Sequence, residues 1–179
     1  MNSDIGVLTV VLVVLLILSA VFSSAETSLV GVSKMRIRSL ADEGNKKAQV
    51  VLELFAEESK MLSAILIGNN LVNTFMASIA SMIAYNFGGY AVSIATFLIT
   101  FLILVFGEIT PKTLATRYSE KMALFYAPFI KFLTALLTPV IWFINLFSRI
   151  ILKLMGVNSD QKAQSITESE LHTILDVSH

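Results

Sequence analysis

The stretch IGVLTVVLVVLLILSAVF, residues 5–22, decides the class of the protein because it contains no charged side chain. A helix needs about 20 consecutive apolar residues to cross the hydrocarbon core of a bilayer. The chain of 179 residues is 55% hydrophobic and has a formal net charge of zero. Such a composition is too apolar for an ordinary soluble domain of this length. The sequence therefore predicts an all-α membrane protein.

Two further apolar windows follow the first, and the charged residues of the chain lie outside all three. They are MLSAILIGNNLVNTFMASIASMIAY, residues 61–85, and YAVSIATFLITFLILVF, residues 90–106. We therefore expect three transmembrane helices, over about residues 5–31, 61–86 and 89–109. A cleaved signal peptide is the alternative for the first window, but the start MNSDIG has no basic residue, and FSSAETSL continues into another helix-like segment.

The segments between and after these windows are more polar. Residues 33–59 mix apolar and charged side chains, which predicts an amphipathic helix on the inner membrane surface or a helical hairpin packed on protein. Residues 119–155 are apolar but carry basic residues and Pro139, which favours a re-entrant or interface-lying pair of helices. Residues 1–156 would form the transmembrane domain. Residues 157–179, with a capping-box pattern TESE at 167–170, would be a linker and the start of a longer cytosolic helical region.

The distribution of basic residues predicts the orientation in the membrane. With three spans and the N-terminus outside, all 13 Lys and Arg residues fall on the cytoplasmic side. A fourth full span would send Arg149 and Lys153 outside. We therefore expect a multi-pass protein of the plasma membrane, surrounded by lipid, with a cytoplasmic C-terminus.

Polar side chains occur inside the apolar windows, where an unpaired polar group is costly. Ser19, Ser23 and Thr27 recur every fourth residue and share one helix face, with Glu26 one turn beyond Ser23. Serine and threonine commonly bond their own backbone or mark close helix packing, which is the alternative role for these hydroxyls. The second window contains three amides, and amides at membrane depth favour a ligand or ion-pathway role over simple helix pairing. They are Asn69, Asn70 and Asn73.

A third polar group stands where the last window ends, in FGEITPK, residues 106–112. Pro111 has no N–H, so in an α-helical register the carbonyl of Gly107 is left without its donor, next to the Glu108 carboxylate. Two oxygen acceptors at a helix break are typical of a site for a hard cation. The alternative is an ion pair between Glu108 and Lys112, four residues apart, which would contribute only about 0.2–0.5 kcal/mol at a surface.

These oxygens together suggest the kind of ion. The chain has no cysteine and two histidines near its end, so thiolate and imidazole sites are not expected. Hydroxyl, amide and carbonyl oxygens with one carboxylate suit Mg²⁺. Na⁺ would use similar groups, and Ca²⁺ would want more carboxylates.

Three motifs resemble the transmembrane domain of the CorC/CNNM family of magnesium transporters. They are FSSAETSLVGVS (22–33), ILIGNNLVNTFMAS (65–78) and FGEITPKTLA (106–115). The resemblance implies a homodimer with a cytoplasmic juxtamembrane belt and Na⁺-coupled export of dehydrated Mg²⁺. It also implies a C-terminal nucleotide-binding regulatory domain outside these 179 residues.

The same resemblance implies the ligands. Mg²⁺ would lie on Ser19 or Ser23, on Asn70 and Asn73, and on the Gly107 carbonyl and the Glu108 carboxylate. The supporting residues would be Glu26, Thr27, Asn69, Pro111 and Lys112. A passive divalent-cation channel and a non-transporting membrane anchor are the alternatives. An enzyme is not expected, and neither is a nucleic-acid partner, because the sequence contains no motif for either.

Overall fold

The computed structural model describes residues 2–155, with side chains from residue 5 onward, and the elements in this range are all helical. The all-α prediction is confirmed for this part of the chain. The predicted linker and cytosolic helix, residues 157–179, lie outside the described residues. The elements in chain order are α1 Asn2–Gly31, α2 Lys34–Asp42, α3 Lys46–Ala56, α4 Glu58–Tyr85, α5 Gly89–Leu102, a π-helical segment Ile103–Ile109, α6 Thr110–Arg117 and α7 Ser119–Leu154.

The first compact unit of the chain extends to Thr138. In it α1 packs against α4, against the π-helical segment and against α6, while α4 also packs against α5. The first half of α1 exposes apolar side chains such as Val10, Val14 and Ile17, whereas its second half, from Ser19 onward, is largely buried. A helix that is apolar on its outside at one end and buried in protein at the other is expected for a span that faces lipid on part of its length. The contact between α1 and its neighbours is therefore concentrated in residues 19–32.

Within residues 2–155, four helical stretches are long and apolar enough to cross a membrane, one more than predicted from the sequence. They are Ile5–Gly31, Glu58–Tyr85, Gly89–Arg117 and Ser119–Leu154. The fourth is α7, which is a single helix of 36 residues. The predicted division of residues 119–155 into a pair of helices at Pro139 is wrong. A proline inside a helix removes one backbone hydrogen bond and bends the helix, but flanking turns can carry the helix past it.

The N-terminal part of α7 is tied to the first half of the chain by polar contacts. Glu120 accepts from Arg36 on α2 at 3.2 Å, and Tyr126 lies 3.0 Å from the Ser24 hydroxyl on α1. Lys131 pairs with Glu53 on α3. From Pro139 onward the chain belongs to a second compact unit, and the described side chains there are mostly exposed and apolar.

The region predicted as one amphipathic segment, residues 33–59, consists of two helices, α2 and α3, joined at Gly44 with a φ of 89°. Ser33 and Asn45 cap the two helices with their side-chain oxygens. Ile37 and Val51 are fully buried in the protein core. This arrangement matches the alternative of a helical hairpin packed on protein, because the apolar faces are covered by other helices.

The predicted helix break at Pro111 is wrong. The helix continues from Gly89 to Arg117, with a π-helical turn over Ile103–Ile109 just before the proline. In a π-helix each N–H donates five residues back instead of four, and the Thr110 N–H bonds the Val105 carbonyl in this way. In this wider register the carbonyl five residues before Pro111 is that of Phe106, so the missing N–H of the proline concerns the Phe106 carbonyl as well as that of Gly107.

Candidate functional site

The candidate site lies where α1, α4 and the π-helical segment meet. Ser19 on α1 is fully buried, and its hydroxyl lies 2.8 Å from the Asn73 side-chain oxygen and 3.3 Å from the Asn69 side-chain oxygen, both on α4. The Asn73 side-chain nitrogen donates to Glu108 Oε1 at 3.4 Å. These four residues form one polar cluster, which we call the Ser19 cluster. It brings hydroxyl, amide and carboxylate oxygens together at the centre of an apolar bundle.

Two glycines allow the helices to approach closely enough to build this cluster. A Cβ atom on Gly107 would lie 2.8 Å from Ser19 Oγ, and one on Gly68 would lie 2.7 Å from the ring of Phe22. Contacts below about 3.0 Å are not tolerated without movement of a neighbour. Gly107 therefore lets the π-helical segment touch the Ser19 hydroxyl, and Gly68 lets α4 rest against α1 one residue before Asn69.

Ser23 lies one turn beyond Ser19 on the same face of α1 and is also fully buried. Its hydroxyl has no hydrogen-bond partner among the described residues. The other two serines in this part of α1 differ, because Ser24 and Ser28 each donate to a carbonyl of their own helix. A buried hydroxyl without a partner is costly, so the Ser23 oxygen is a polar atom that a bound ligand would satisfy.

The Glu108 carboxylate is half-buried, and no salt bridge among the described residues includes it. The alternative pairing of Glu108 with Lys112 is not what the structure shows. Lys112 instead lies 3.3 Å from Glu26 Oε2 on α1, with both side chains somewhat under half exposed. The single carboxylate of the cluster thus has one long hydrogen bond from Asn73 and no cationic partner in the described part of the chain.

The structure brings most of the predicted ligands together. Ser19, Asn73, Gly107 and Glu108 are in or against the Ser19 cluster, and Asn69, predicted only as support, takes part in it directly. Asn70 does not join them, since its side chain is exposed and its backbone carbonyl accepts from Thr74. Pro111 is buried beside the site, and Thr27 is half-buried further along α1.

Three features of the site were not predicted from the sequence. They are the contact between Gly68 and Phe22, the pairing of Lys112 with Glu26, and the π-helical turn. Only the first left a signal, a glycine directly before the amides in IGNN, because small residues in membrane helices commonly mark close helix packing. The pairing of Lys112 with Glu26 depends on the packing of α1 against α6, and the π-helical turn is the form that the helix takes before Pro111.

An open cavity of about 590 Å³ adjoins Glu26. It is lined by residues of α1 and α4, namely Glu26, Glu58, Ser59, Leu62, Ser63 and Leu66. Its polar groups are carboxylates and hydroxyls. Within the described part of the chain, no three His, Cys, Asp or Glu side chains come together in a way that could hold a metal. A cation bound in the Ser19 cluster would therefore rest mainly on neutral oxygens.

Comparison with known proteins agrees with this picture. The family model described as cyclin M transmembrane N-terminal domain matches residues 10–179. The chain is 38% identical over 169 residues to a UPF0053 protein of Haemophilus influenzae and 35% identical over 160 residues to the UPF0053 inner membrane protein YfjD of Escherichia coli. These matches cover 94% and 88% of this chain but only 40% and 37% of the two relatives.

A third relative is named for a transport activity. The polyamine export protein of Haemophilus influenzae is 27% identical over 183 residues, covering 94% of this chain and 42% of the relative. Since the chain spans about two fifths of the length of these relatives, the comparisons identify a membrane domain rather than a whole protein. The match of the family model over residues 10–179, together with the helices that could cross a bilayer, shows that the chain is a multi-pass membrane protein of the cyclin M transmembrane N-terminal domain family.

Proposed function

We propose that this domain binds Mg²⁺ in dehydrated form at the Ser19 cluster and exports it across the membrane, coupled to the entry of Na⁺. The observation that carries the proposal is the meeting of the Ser19 hydroxyl, the Asn73 amide oxygen and the Glu108 carboxylate on three different helical segments. Ser19 is fully buried, and Asn73 and Glu108 are partly buried, and polar groups in such surroundings are costly without a partner. The domain would act as a homodimer in the plasma membrane, with its N-terminus outside and its C-terminus in the cytoplasm. This orientation requires that α7 lie along the membrane surface rather than cross the bilayer.

The spacing of the oxygens supports Mg²⁺ as the ion. Mg²⁺ prefers six oxygens in octahedral geometry at about 2.0–2.1 Å, which places neighbouring ligand oxygens about 2.9 Å apart. The Ser19 hydroxyl lies 2.8 Å and 3.3 Å from the oxygens of Asn73 and Asn69. If the Ser19 hydroxyl proton rotates away from the amides, the Ser19 oxygen and the two amide oxygens can bind one ion as neighbouring ligands. Ser23, the Gly107 carbonyl and the Glu108 carboxylate would complete the shell of six.

Flux into proteoliposomes tests the transport step. Protein reconstituted into vesicles that contain a Mg²⁺-sensitive dye should move Mg²⁺ when a Na⁺ gradient is imposed, and the rate should fall when the gradient is removed. Glu108→Gln in the same vesicles should abolish the flux. Mg²⁺ flux that does not depend on Na⁺ would favour the passive channel, whereas no flux together with intact folding would favour the membrane anchor.

Polyamine export is a second candidate, favoured by the name of one relative and by the chemistry of the cluster. An alkylammonium group donates hydrogen bonds and pairs with a carboxylate. The Ser19 cluster contains acceptor oxygens and one carboxylate. The two candidates separate in a competition experiment. Spermidine at millimolar concentration should leave Mg²⁺ binding unchanged if Mg²⁺ is the cargo, and should displace Mg²⁺ if the cluster is built for ammonium groups.

A further inference from the structure

We propose that Glu26 is a positioning residue that holds Lys112 away from Glu108, so that the Glu108 carboxylate stays open to a cation. Lys112 follows Glu108 by four residues, a spacing at which oppositely charged side chains on a helix normally pair. In the structure Lys112 instead lies 3.3 Å from Glu26 on α1. This inference rests on the proposed cation site.

The two possible partners of Lys112 are both carboxylates, but they differ in position. Glu26 lies on the side of α1 that faces α6, beyond Ser23, and adjoins the open cavity. Glu108 lies in the Ser19 cluster, where Asn73 donates to it. An ammonium group next to Glu108 would occupy the charge that a Mg²⁺ ion needs, so Lys112 and the ion cannot both use this carboxylate.

Lys112 can exchange Glu26 for another partner because neither side chain of the pair is buried. The side chain of Lys112 is 44% exposed and that of Glu26 is 41% exposed. Ion pairs with this degree of exposure contribute little to stability, so a lysine could leave Glu26 and pair with Glu108 at small cost. Lys112 is thus a tethered cation with two docking positions, and Glu26 selects the position that leaves the site free.

A double-mutant cycle on Mg²⁺ affinity tests this inference, measured by calorimetry with MgCl₂ on the purified protein in detergent. Glu26→Gln should lower the affinity about two- to threefold, because Lys112 is then free to pair with Glu108 and to compete with the ion. The same change made together with Lys112→Met should have almost no effect relative to Lys112→Met alone. Restoration by the second change is a result that a merely structural role of Glu26 would not produce.

If Glu26 acted only through its negative charge near the site, the double-mutant cycle would give a different pattern of affinities. In that case Glu26→Gln would weaken binding equally with and without Lys112, and the inference would be overturned. Glu57→Gln is the matched control, since it removes one carboxylate from the exposed pair with Lys60 and should not change the affinity. If Lys112→Met fails to fold by thermal unfolding, Lys112→Gln replaces it in the cycle.

The result also separates this inference from the proposed function. If Glu108→Gln abolishes Mg²⁺ binding and Glu26→Gln leaves it unchanged, the cation site stands and only the role of Glu26 is wrong. If Glu108→Gln leaves Mg²⁺ binding unchanged, the cation site itself is wrong.

Discussion

Ser19 and Asn73 are 54 positions apart in the sequence, yet the hydroxyl of one lies 2.8 Å from the side-chain oxygen of the other. This contact joins α1 to α4 in the middle of an apolar bundle, and Asn73 in turn contacts Glu108 on the third helical segment. A chain of polar groups across three membrane helices is expensive to maintain for packing alone. The following predictions test whether the chain of contacts exists to hold an ion.

Ser23→Ala should have opposite effects on folding and on binding. The Ser23 hydroxyl is buried without a partner among the described residues, so its removal should raise the free energy of unfolding without Mg²⁺ by about 1 kcal/mol. If Ser23 is a ligand, the Mg²⁺ affinity should fall about tenfold in calorimetry. Ser28→Ala is the control, because the Ser28 hydroxyl already bonds the Ala25 carbonyl. A Ser23 variant with reduced stability and unchanged affinity would remove Ser23 from the site.

Gly107→Ala should damage both the site and the packing around it. The added Cβ would lie 2.8 Å from Ser19 Oγ, which forces the π-helical segment and α1 apart at a cost of about 1–3 kcal/mol. Thermal unfolding should show the loss, and Mg²⁺ binding should be lost with it. Gly31→Ala is the matched control, since a Cβ added at Gly31 would meet no described atom within 4 Å. Ser19→Ala introduced together with Gly107→Ala should recover part of the stability.

Asn73→Ala should reduce Mg²⁺ affinity far more than Asn70→Ala. Asn73 contacts both Ser19 and Glu108, whereas the Asn70 side chain is exposed. We expect a loss of about tenfold or more for Asn73→Ala and less than about threefold for Asn70→Ala, from the cost of removing one partner of the half-buried Glu108 carboxylate. The reverse order would show that the ion lies on the other face of α4.

Pro111→Ala should weaken Mg²⁺ binding without unfolding the protein. The substitution supplies an N–H that can bond the Phe106 or Gly107 carbonyl, so these oxygens become less available to a cation. We expect an affinity loss of about three- to tenfold in calorimetry, the effect of one neutral hydrogen bond of about 1 kcal/mol. Pro128→Ala on α7 is the control, because Pro128 is exposed and outside the cluster. Unchanged affinity in Pro111→Ala would show that no carbonyl freed by the proline serves as a ligand.

Residue spacing identified the polar groups within the apolar windows, whereas the resemblance to the CorC/CNNM family implied which of them would be ligands. Ser19 and Ser23 lie four residues apart on an apolar helix, and Glu108 follows an apolar window. Each of these side chains therefore needs a polar partner in the folded protein. The structure brings Ser19, Asn73 and Glu108 together as that reasoning requires. The cost of burying polar groups indicated that these residues need partners, but the choice of ligands among them rested on the motifs and stays a prediction.

The choice between Asn69 and Asn70 could not be made from the sequence. Neighbouring residues on a helix point about 100° apart, so one of the two must turn away from any given partner. The rotation of α4 is set by the contact of Gly68 with the Phe22 ring, which turns Asn69 toward Ser19 and leaves Asn70 exposed. That contact joins two residues far apart in the sequence, and the glycine before the amides indicates close packing without identifying Phe22 as the partner.

The π-helical turn and the continuity of α7 also could not be predicted from local sequence preferences. Pro111 and Pro139 both predict an interruption for the same reason, the loss of one N–H. At Pro111 the helix adapts by widening its preceding turn, and at Pro139 it continues as an α-helix. Helix-breaking preferences are modest compared with the need of a membrane segment to satisfy its backbone internally, so the helix persists in both places.

The central claim is that Glu108 supplies the charge for a bound Mg²⁺ ion, and Mg²⁺ calorimetry on Glu108→Gln tests it most directly. Gln keeps the shape and can still accept from Asn73 but carries no charge, so the heat of Mg²⁺ binding should disappear while the thermal unfolding temperature changes little. Glu57→Gln, measured beside it, should bind Mg²⁺ as the unmodified protein does. A folded Glu108→Gln protein that binds Mg²⁺ with unchanged affinity would contradict the claim.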